Sequence, residues 1–135
     1  MSKILVVEDE PDNAKMLARM LRMRGYEVVV AADGVTGVAM ATQHRPDVIL
    51  MDLLLAGQID GSEATRQITS APDTRTIPVI ILSASHLASF QKEAFQAGAA
   101  DVDTKPVEFD RLVGKIERLI HPSRVGTAAA PGRND

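Results

Sequence analysis

The chain has 135 residues, of which 45% are hydrophobic and 24% charged, which is enough for one core of ordinary size and too little for two. Its formal net charge is −3 and its basic residues are scattered, so no basic patch indicates direct binding of DNA or RNA. The absence of cysteine excludes a disulfide framework and a thiolate metal site, and it suits a cytoplasmic location. No apolar stretch approaches the length of a membrane span, so we expect no membrane partner.

Strand and helix signals alternate regularly along the chain. Short apolar runs predict five strands, at residues 3–7, 27–32, 47–51, 77–82 and 100–103. Periodic segments predict five helices, from residue 11 up to a stop at Gly25, at about 35–43, at 61–70, at 87–97 and after Lys105-Pro106. In the first helix Met16, Met20 and Met23 lie at helical spacing, and we expect these side chains to serve packing.

The third predicted strand indicates the kind of sheet. Its run Val48-Ile49-Leu50-Met51 is apolar without alternation, which is typical of a parallel strand covered on both faces. Regular alternation of strands and helices with short loops predicts right-handed crossovers and one parallel sheet between two layers of helices. We therefore predict an α/β, doubly wound domain over residues 1–122. Residues 123–135 show no periodicity and are rich in small residues, which predicts a disordered tail or the start of a linker.

Three acidic residues and one lysine follow the predicted strands directly. Glu8 and Asp9 close the first strand, Asp52 closes the third, and Lys105 follows the fifth. In an open parallel sheet, ligands bind in the crevice beyond the carboxyl ends of the strands. Like charges held close together repel each other, so such a cluster costs stability unless something binds there. Each acid alone could be an ordinary cap, and Lys105 alone a solvated lysine, but their joint placement favours a functional site.

Several short segments carry a family resemblance. They are Val6-Val7-Glu8-Asp9, Leu50-Met51-Asp52, Asp60-Gly61, Ile81-Leu82-Ser83-Ala84, Gly98-Ala99 and Thr104-Lys105-Pro106. On these segments the chain resembles the receiver domain of response regulators in two-component signalling, with chemotaxis regulators among its members. The resemblance implies a flavodoxin-like fold with a five-stranded parallel sheet in the order 2-1-3-4-5. It also implies a signalling switch that a histidine kinase or a histidine phosphotransfer protein phosphorylates, and that acts on an effector protein or a fused output domain.

The resemblance assigns the acidic residues to phosphoryl transfer and metal binding. Asp52 is implied to be the phosphoacceptor, since a carboxylate attacks phosphorus once its charge is compensated. Glu8, Asp9 and Asp52 are implied to bind Mg²⁺, a hard cation that takes a few carboxylates and bridges to phosphoryl oxygens. The main-chain carbonyl of Leu54 is implied to complete the metal site.

The remaining implied roles concern the response to phosphorylation. Lys105 is implied to pair with the carboxylate and then with the phosphoryl group, and Ser83 to donate its hydroxyl to a phosphoryl oxygen. Val102 occupies the switch position where the family has an inward-turning aromatic residue, so we expect signalling through loop and helix shifts instead. The peptide bond between Lys105 and Pro106 is implied to be cis.

Three other departures from the family pattern affect the expected behaviour. The loop after Asp52 is one residue longer than usual and has Ala56 where proline is common, and Asp103 replaces an apolar residue. The apolar Leu54 and the short Ser85 are poor at orienting a water molecule toward a phosphoaspartate. We therefore expect a phosphoacceptor that catalyses its own phosphorylation and a slow dephosphorylation, and no other enzyme activity.

Other protein classes share parts of this pattern. A haloacid-dehalogenase-type phosphatase also has an aspartate at a strand end, but it needs a second acid where this chain has Leu54. A flavodoxin-like flavin carrier needs a phosphate-binding loop after the first strand, and Glu8, Asp9 and Glu10 would repel that phosphate. A degenerate receiver that binds a partner without phosphorylation is an open alternative. The chain could also be either a stand-alone receiver or the receiver part of a longer protein.

Overall fold

The computed structural model describes residues 2–84 and 87–122, and five strands alternate with five helices along them. The strands are β1 Lys3–Val7, β2 Glu27–Ala31, β3 Val48–Asp52, β4 Val79–Ser83 and β5 Asp101–Thr104. The helices are α1 Pro11–Met23, α2 Gly34–His44, α3 Gly61–Ser70, α4 Ala88–Gln96 and α5 Phe109–Ile120. The predicted order of elements is confirmed, with bounds that differ by up to two residues in most elements. The predicted tail at residues 123–135 lies outside the described residues.

All five strands form one parallel sheet in the order β2-β1-β3-β4-β5, as the resemblance implied. The central strands β1 and β3 pair from Ile4 with Val48 up to Val7 with Met51, and β3 is buried along its whole length. Two hydrophobic clusters lie on opposite faces of the sheet. Helices α2, α3 and α4 contribute to one cluster, and α1 and α5 contribute to the other. The apolar run of β3 is therefore explained by its cover on both faces.

Acidic side chains fix the starts of four helices. Glu10, Asp33, Asp60 and Glu108 each accept a hydrogen bond from the backbone N–H three residues later, at α1, α2, α3 and α5. Each contact satisfies one of the N–H groups that a helix start leaves without an intrahelical partner. Because these helices begin just beyond the carboxyl ends of the strands, the caps also fix the loops that surround the strand ends.

No described helix combines the length and the apolar content that a bilayer crossing needs.

The packing role expected for the methionines of α1 is wrong for two of them. Met16 is 60% exposed and Met23 is 79% exposed, whereas Met20 is half-buried. The buried stripe of the helix consists of Ala14, Leu17, Ala18 and Leu21. Each residue advances about 100° around an α-helix, so a position next to this stripe can turn toward solvent. Helical spacing alone does not tell which of two adjacent stripes faces the core.

Candidate functional site

The sheet brings Glu8, Asp9 and Asp52 together at its carboxyl edge. One carboxylate oxygen from each residue lies within 4.8 Å of the other two. The cause is the register of β1 and β3, which pairs Val7 with Met51 and therefore places the residues that follow side by side. Glu8 is 6% exposed and Asp52 is 7% exposed, while Asp9 is half-buried. The predicted convergence of these three acids is confirmed.

Lys105 compensates two of the three acids. Its Nζ lies 2.9 Å from Glu8 Oε1 and 3.5 Å from Asp52 Oδ2. The backbone N–H of Lys105 donates to the carbonyl of Ser83 at 2.9 Å. This bond fixes the backbone directly after β5 against the end of β4. The peptide bond between Lys105 and Pro106 is cis, as the resemblance implied. The lysine side chain thus bridges Glu8, which follows β1, and Asp52, which ends β3.

The negative charges of this cluster repel one another, and Lys105 compensates them only in part. Burial and the neighbouring Glu8 carboxylate raise the pKa of Asp52 from 3.8 to about 6, although Lys105 acts in the opposite direction. Burial alone would lower the pKa of Lys105, but the hydrogen bond to Glu8 and the charge of Asp52 outweigh burial and raise it. At neutral pH the lysine is therefore charged and Asp52 is mostly ionised. An added cation would relieve the remaining repulsion.

The donor set fits a small hard cation. Glu8, Asp9 and Asp52 supply only carboxylate oxygens, which suit Mg²⁺ and not the softer metals that prefer imidazole or thiolate ligands. The half-buried position of Asp9 leaves one side of the cluster open to solvent, so a cation there can keep bound waters.

The loop between β3 and α3 closes over this edge of the sheet. The N–H of Gly61 donates to the carbonyl of Leu53 at 2.9 Å. A Cβ at Gly61 would lie 2.1 Å from the backbone oxygen of Asp52, so only glycine allows this approach. Ala56 N–H donates to Asp9 Oδ2 at 2.9 Å. The extra loop residue is therefore accommodated without opening the loop away from the acids.

The other predicted site residues lie around the cluster. Ser83 is the last residue of β4, half-buried and in register with Thr104. Leu54 has a 68% exposed side chain, which agrees with a role for its backbone alone. Val102 is half-buried on β5 and packs against the cluster that includes α4. The roles of these three residues stay predictions, and Ser85 lies outside the described residues.

A buried ion cluster beside the site was not predicted from the sequence. Asp103 is 4% exposed and its Oδ1 accepts from Arg111 Nε at 3.0 Å, with Lys115 Nζ 4.0 Å away. The sequence singled out Asp103 but not its partners. A signal was present, because Arg111 and Lys115 are four residues apart in α5 and thus on one face of it.

An apolar groove opens next to the acids. It has a volume of about 290 Å³ and lies between α1 and the segment that follows β5. Its walls include Met16, Leu17, Met20, Val107 and Phe109, and its lining also includes Glu8 and Lys105. A partner that filled this groove would lie beside the acid cluster.

Several known proteins match almost the whole chain. The protein PilH of Pseudomonas aeruginosa is 38% identical over 120 residues, which cover 89% of this chain and 98% of PilH. The receiver domain of the sensor histidine kinase PA1611 from Pseudomonas aeruginosa, solved with a magnesium ion coordinated in its active-site cleft, is 39% identical with a TM-score of 0.81, covering 88% of this chain and 97% of that one. The chemotaxis response regulator CheY4 of Vibrio cholerae is 28% identical with a TM-score of 0.81, covering 88% and 98% of the two chains.

Other relatives are longer than this chain. The DNA-binding transcriptional regulator RpaA of Synechocystis is 32% identical over 120 residues, but the match covers only 49% of it. The response regulator PleD of Caulobacter vibrioides is 36% identical over 118 residues, which cover 26% of its length. A family model described as the response regulator receiver domain matches residues 4–117. That match, together with the likeness to PilH over nearly all of both chains, establishes that this chain belongs to the response regulator receiver domain family.

Proposed function

We propose that the chain is a phosphorylation-activated switch that accepts a phosphoryl group on Asp52. The observation that carries the proposal is the placement of Asp52, buried at the end of β3 between Glu8, Asp9 and Lys105. A carboxylate in this setting is mostly ionised at neutral pH, so it can act as a nucleophile. Membership of the receiver family supports the same chemistry.

Phosphoryl transfer would proceed by in-line displacement at phosphorus. One oxygen of Asp52 forms the new bond, and the bond between phosphorus and the imidazole nitrogen of a phosphohistidine breaks. The electron pair of that bond stays on the imidazole nitrogen of the donor, which then takes up a proton. Lys105 already forms an ion pair with Asp52, and after the transfer its ammonium group would pair with the negatively charged phosphoryl oxygens.

Mg²⁺ is the cation that we propose for the acid cluster. When bound, Mg²⁺ neutralises charge on the acids and on the incoming phosphoryl oxygens. Glu8, Asp9, Asp52 and the backbone carbonyl of Leu54 would hold the ion. The receiver domain of PA1611, which contains magnesium in its cleft, supports this assignment.

Ser83 and Val102 are the residues that we propose to report the change of state. Ser83 ends the strand next to β3 and directly follows Leu82, which pairs with Asp52, so it lies at the same carboxyl edge of the sheet as the proposed phosphoacceptor. A hydrogen bond present only in the phosphorylated state can shift a loop equilibrium. Val102 is too small for a large rotamer change, so the packing of α4 against β5 would carry the response.

The phosphodonor that we propose is a histidine kinase or a histidine phosphotransfer protein, and the recipient of the signal an effector protein or a fused output domain. The groove of Met16, Leu17, Met20, Val107 and Phe109 supports a protein donor, because it offers apolar contact area beside Lys105. A donor helix seated there would bring its histidine toward the carboxyl edge of the sheet.

We also propose that self-dephosphorylation is slow. The apolar side chain of Leu54 is poor at orienting the water molecule that would attack the phosphoaspartate.

Labelling with a small acyl phosphate tests the proposal directly. Incubation of the purified chain with acetyl phosphate and Mg²⁺ should add one phosphoryl group, because the donor needs no partner protein. Intact-mass analysis measures the adduct, and Asp52→Asn should abolish it. Asp60→Asn serves as the matched control, since Asp60 caps α3 in the same loop. Absence of the adduct in the native chain would favour the alternative, a degenerate receiver that only binds a partner.

A further inference from the structure

The loop after β3 contacts the acid cluster through its backbone. Ala56 N–H donates to Asp9 Oδ2 at 2.9 Å. Glu8 and Asp52 both lie next to the Lys105 ammonium, but Asp9 has no ion-pair partner in the part of the chain that the structure describes. The amide dipole of Ala56 is thus the group that compensates the third acid.

The fold fixes the position of this amide. Leu55, directly before Ala56, has a buried side chain, and Ile59 packs against the core and contacts Gly34 at the start of α2. Gly57 turns the chain with a φ of +106°, a conformation that favours glycine. Ala56 itself has an exposed side chain, so its contribution to the site is its N–H group.

We propose that the backbone N–H of Ala56 is a positioning group for the cation site. It holds the Asp9 carboxylate beside Glu8 and Asp52 before the cation arrives. Without this donor, repulsion from the other two acids would turn the half-buried Asp9 side chain toward solvent. Binding would then have to order that side chain again, which lowers the cation affinity about threefold to tenfold. The inference rests on the proposed Mg²⁺ site.

The same contact couples the loop to the cation. Coupling between two binding events is reciprocal, so a hydrogen bond that favours Mg²⁺ is itself favoured by Mg²⁺ to the same degree. Hydrogen exchange of the Ala56 amide should therefore slow about threefold to tenfold when the site is saturated. The amide of Glu63, which donates to Asp60 at the start of α3, is the control within the same protein, and its exchange should change less.

The test compares Ala56→Pro, which deletes the N–H, with Ala56→Ser, which keeps it. Backbone amide shifts of the unphosphorylated protein are titrated with MgCl₂, so the readout does not depend on phosphoryl transfer. Mg²⁺ should bind about threefold to tenfold more weakly to Ala56→Pro than to the native chain, and about equally to Ala56→Ser. Both changes are also made with Asp9→Asn, and in that background the proline should have little further effect, because its effect acts through the Asp9 carboxylate.

Equal Mg²⁺ affinities of the proline and serine variants would overturn the inference, and so would an equal loss in the Asp9→Asn background. If Ala56→Pro fails to fold, replacement of alanine by lactic acid at position 56 deletes the N–H through a backbone ester. The experiments distinguish a failure of this inference from a failure of the proposed function. Lack of acetyl phosphate labelling at Asp52 would overturn the function and leave the inference standing if the titrations differ as stated.

Discussion

Asp52 has an environment that penalises its own charge. Its neighbours include Glu8 at the end of β1 and the partly compensating Lys105, and its side chain is almost completely buried. The raised pKa of about 6 means that the folded chain binds its proton more tightly than the unfolded chain, where the value is 3.8. The site therefore destabilises the resting protein at neutral pH, and ligand binding can recover that free energy.

The first prediction is that Asp52→Asn stabilises the metal-free protein at neutral pH and not in acid. The folded-state pKa is raised, so ionisation costs stability as the pH rises from about 4 to about 6, and the cost is constant above that range. With allowance for solvent screening, we expect the free energy of unfolding to rise by about 1 to 2 kcal/mol at pH 7, which corresponds to about 3 to 8 °C in Tm. Thermal melts of the variant and the native chain in EDTA, at a series of pH values, measure this difference in Tm.

Asp73→Asn is the control for this pH series. Asp73 is exposed and forms an ion pair of 3.9 Å with Arg45 on the surface, a kind of contact that contributes little. Its Tm difference from the native chain should be small at every pH. A stabilisation by Asp52→Asn that is as large at pH 4 as at pH 7 would contradict the assigned cause, because Asp52 of the native chain is largely protonated at pH 4 and the substitution then removes no charge.

At the level of secondary structure, β5 and α5 are joined by a buried acid. The Arg111 guanidinium contacts Asp103 through Nε at 3.0 Å and Nη2 at 2.9 Å, and Asp103 Oδ2 has no hydrogen-bond partner in the described chain. Loss of a cation from such a pair leaves a buried charge behind, whereas loss of the acid leaves cations that water can reach. Removal of Arg111 should therefore lower the stability of the protein more than removal of Asp103 does.

The second prediction concerns this asymmetry. Arg111→Met should destabilise the protein by about 2 kcal/mol, because the only ion-pair partner that Asp103 then keeps among the described residues is the more distant Lys115. Asp103→Leu should be neutral within about 1 kcal/mol or stabilising, because it replaces a buried charge by an apolar side chain. Urea denaturation measures both, and the double variant should resemble Asp103→Leu alone. Arg66→Met, which breaks an exposed pair with Glu63, should cost less than about 0.5 kcal/mol.

A stability loss in Asp103→Leu as large as in Arg111→Met would contradict this account. The buried acid would then be a net stabilising link between the strand and the helix, and its charge would not be the source of the cost.

The elements were predictable from the sequence because local signals and the fold agree. The apolar run of β3 identified a strand covered on both faces, and the acids Asp33 and Asp60 stand where helices begin. The convergence of Glu8, Asp9 and Asp52 was predictable because all three stand at the carboxyl ends of neighbouring parallel strands, but other contacts between distant segments were not. The exposure of Met16 depends on how α1 is rotated on the sheet, and the bond from Ala56 to Asp9 depends on how the loop folds back over β1. Neither is encoded in a local pattern.

On the scale of the whole molecule, the acid cluster and the apolar groove share one surface. The groove lies on the α1 and α5 side of the sheet, and Glu8 and Lys105 belong to both features. Met16 is exposed at this groove, whereas Met23 is exposed near the end of the same helix and does not line it. The chain thus provides a matched pair of exposed methionines, one inside and one outside the proposed donor surface.

The third prediction is that this surface distinguishes protein donors from small ones. Met16→Glu and Met16→Lys should each lower the rate of phosphotransfer from a histidine kinase about tenfold, because both place a charge in an apolar contact. Labelling by acetyl phosphate should change less than about twofold, since the small donor does not occupy the groove. Phosphotransfer profiling against purified kinases first identifies one that phosphorylates the native chain. Met23→Glu should leave both rates unchanged, and equal effects of the Met16 and Met23 changes on kinase phosphotransfer would place the donor elsewhere.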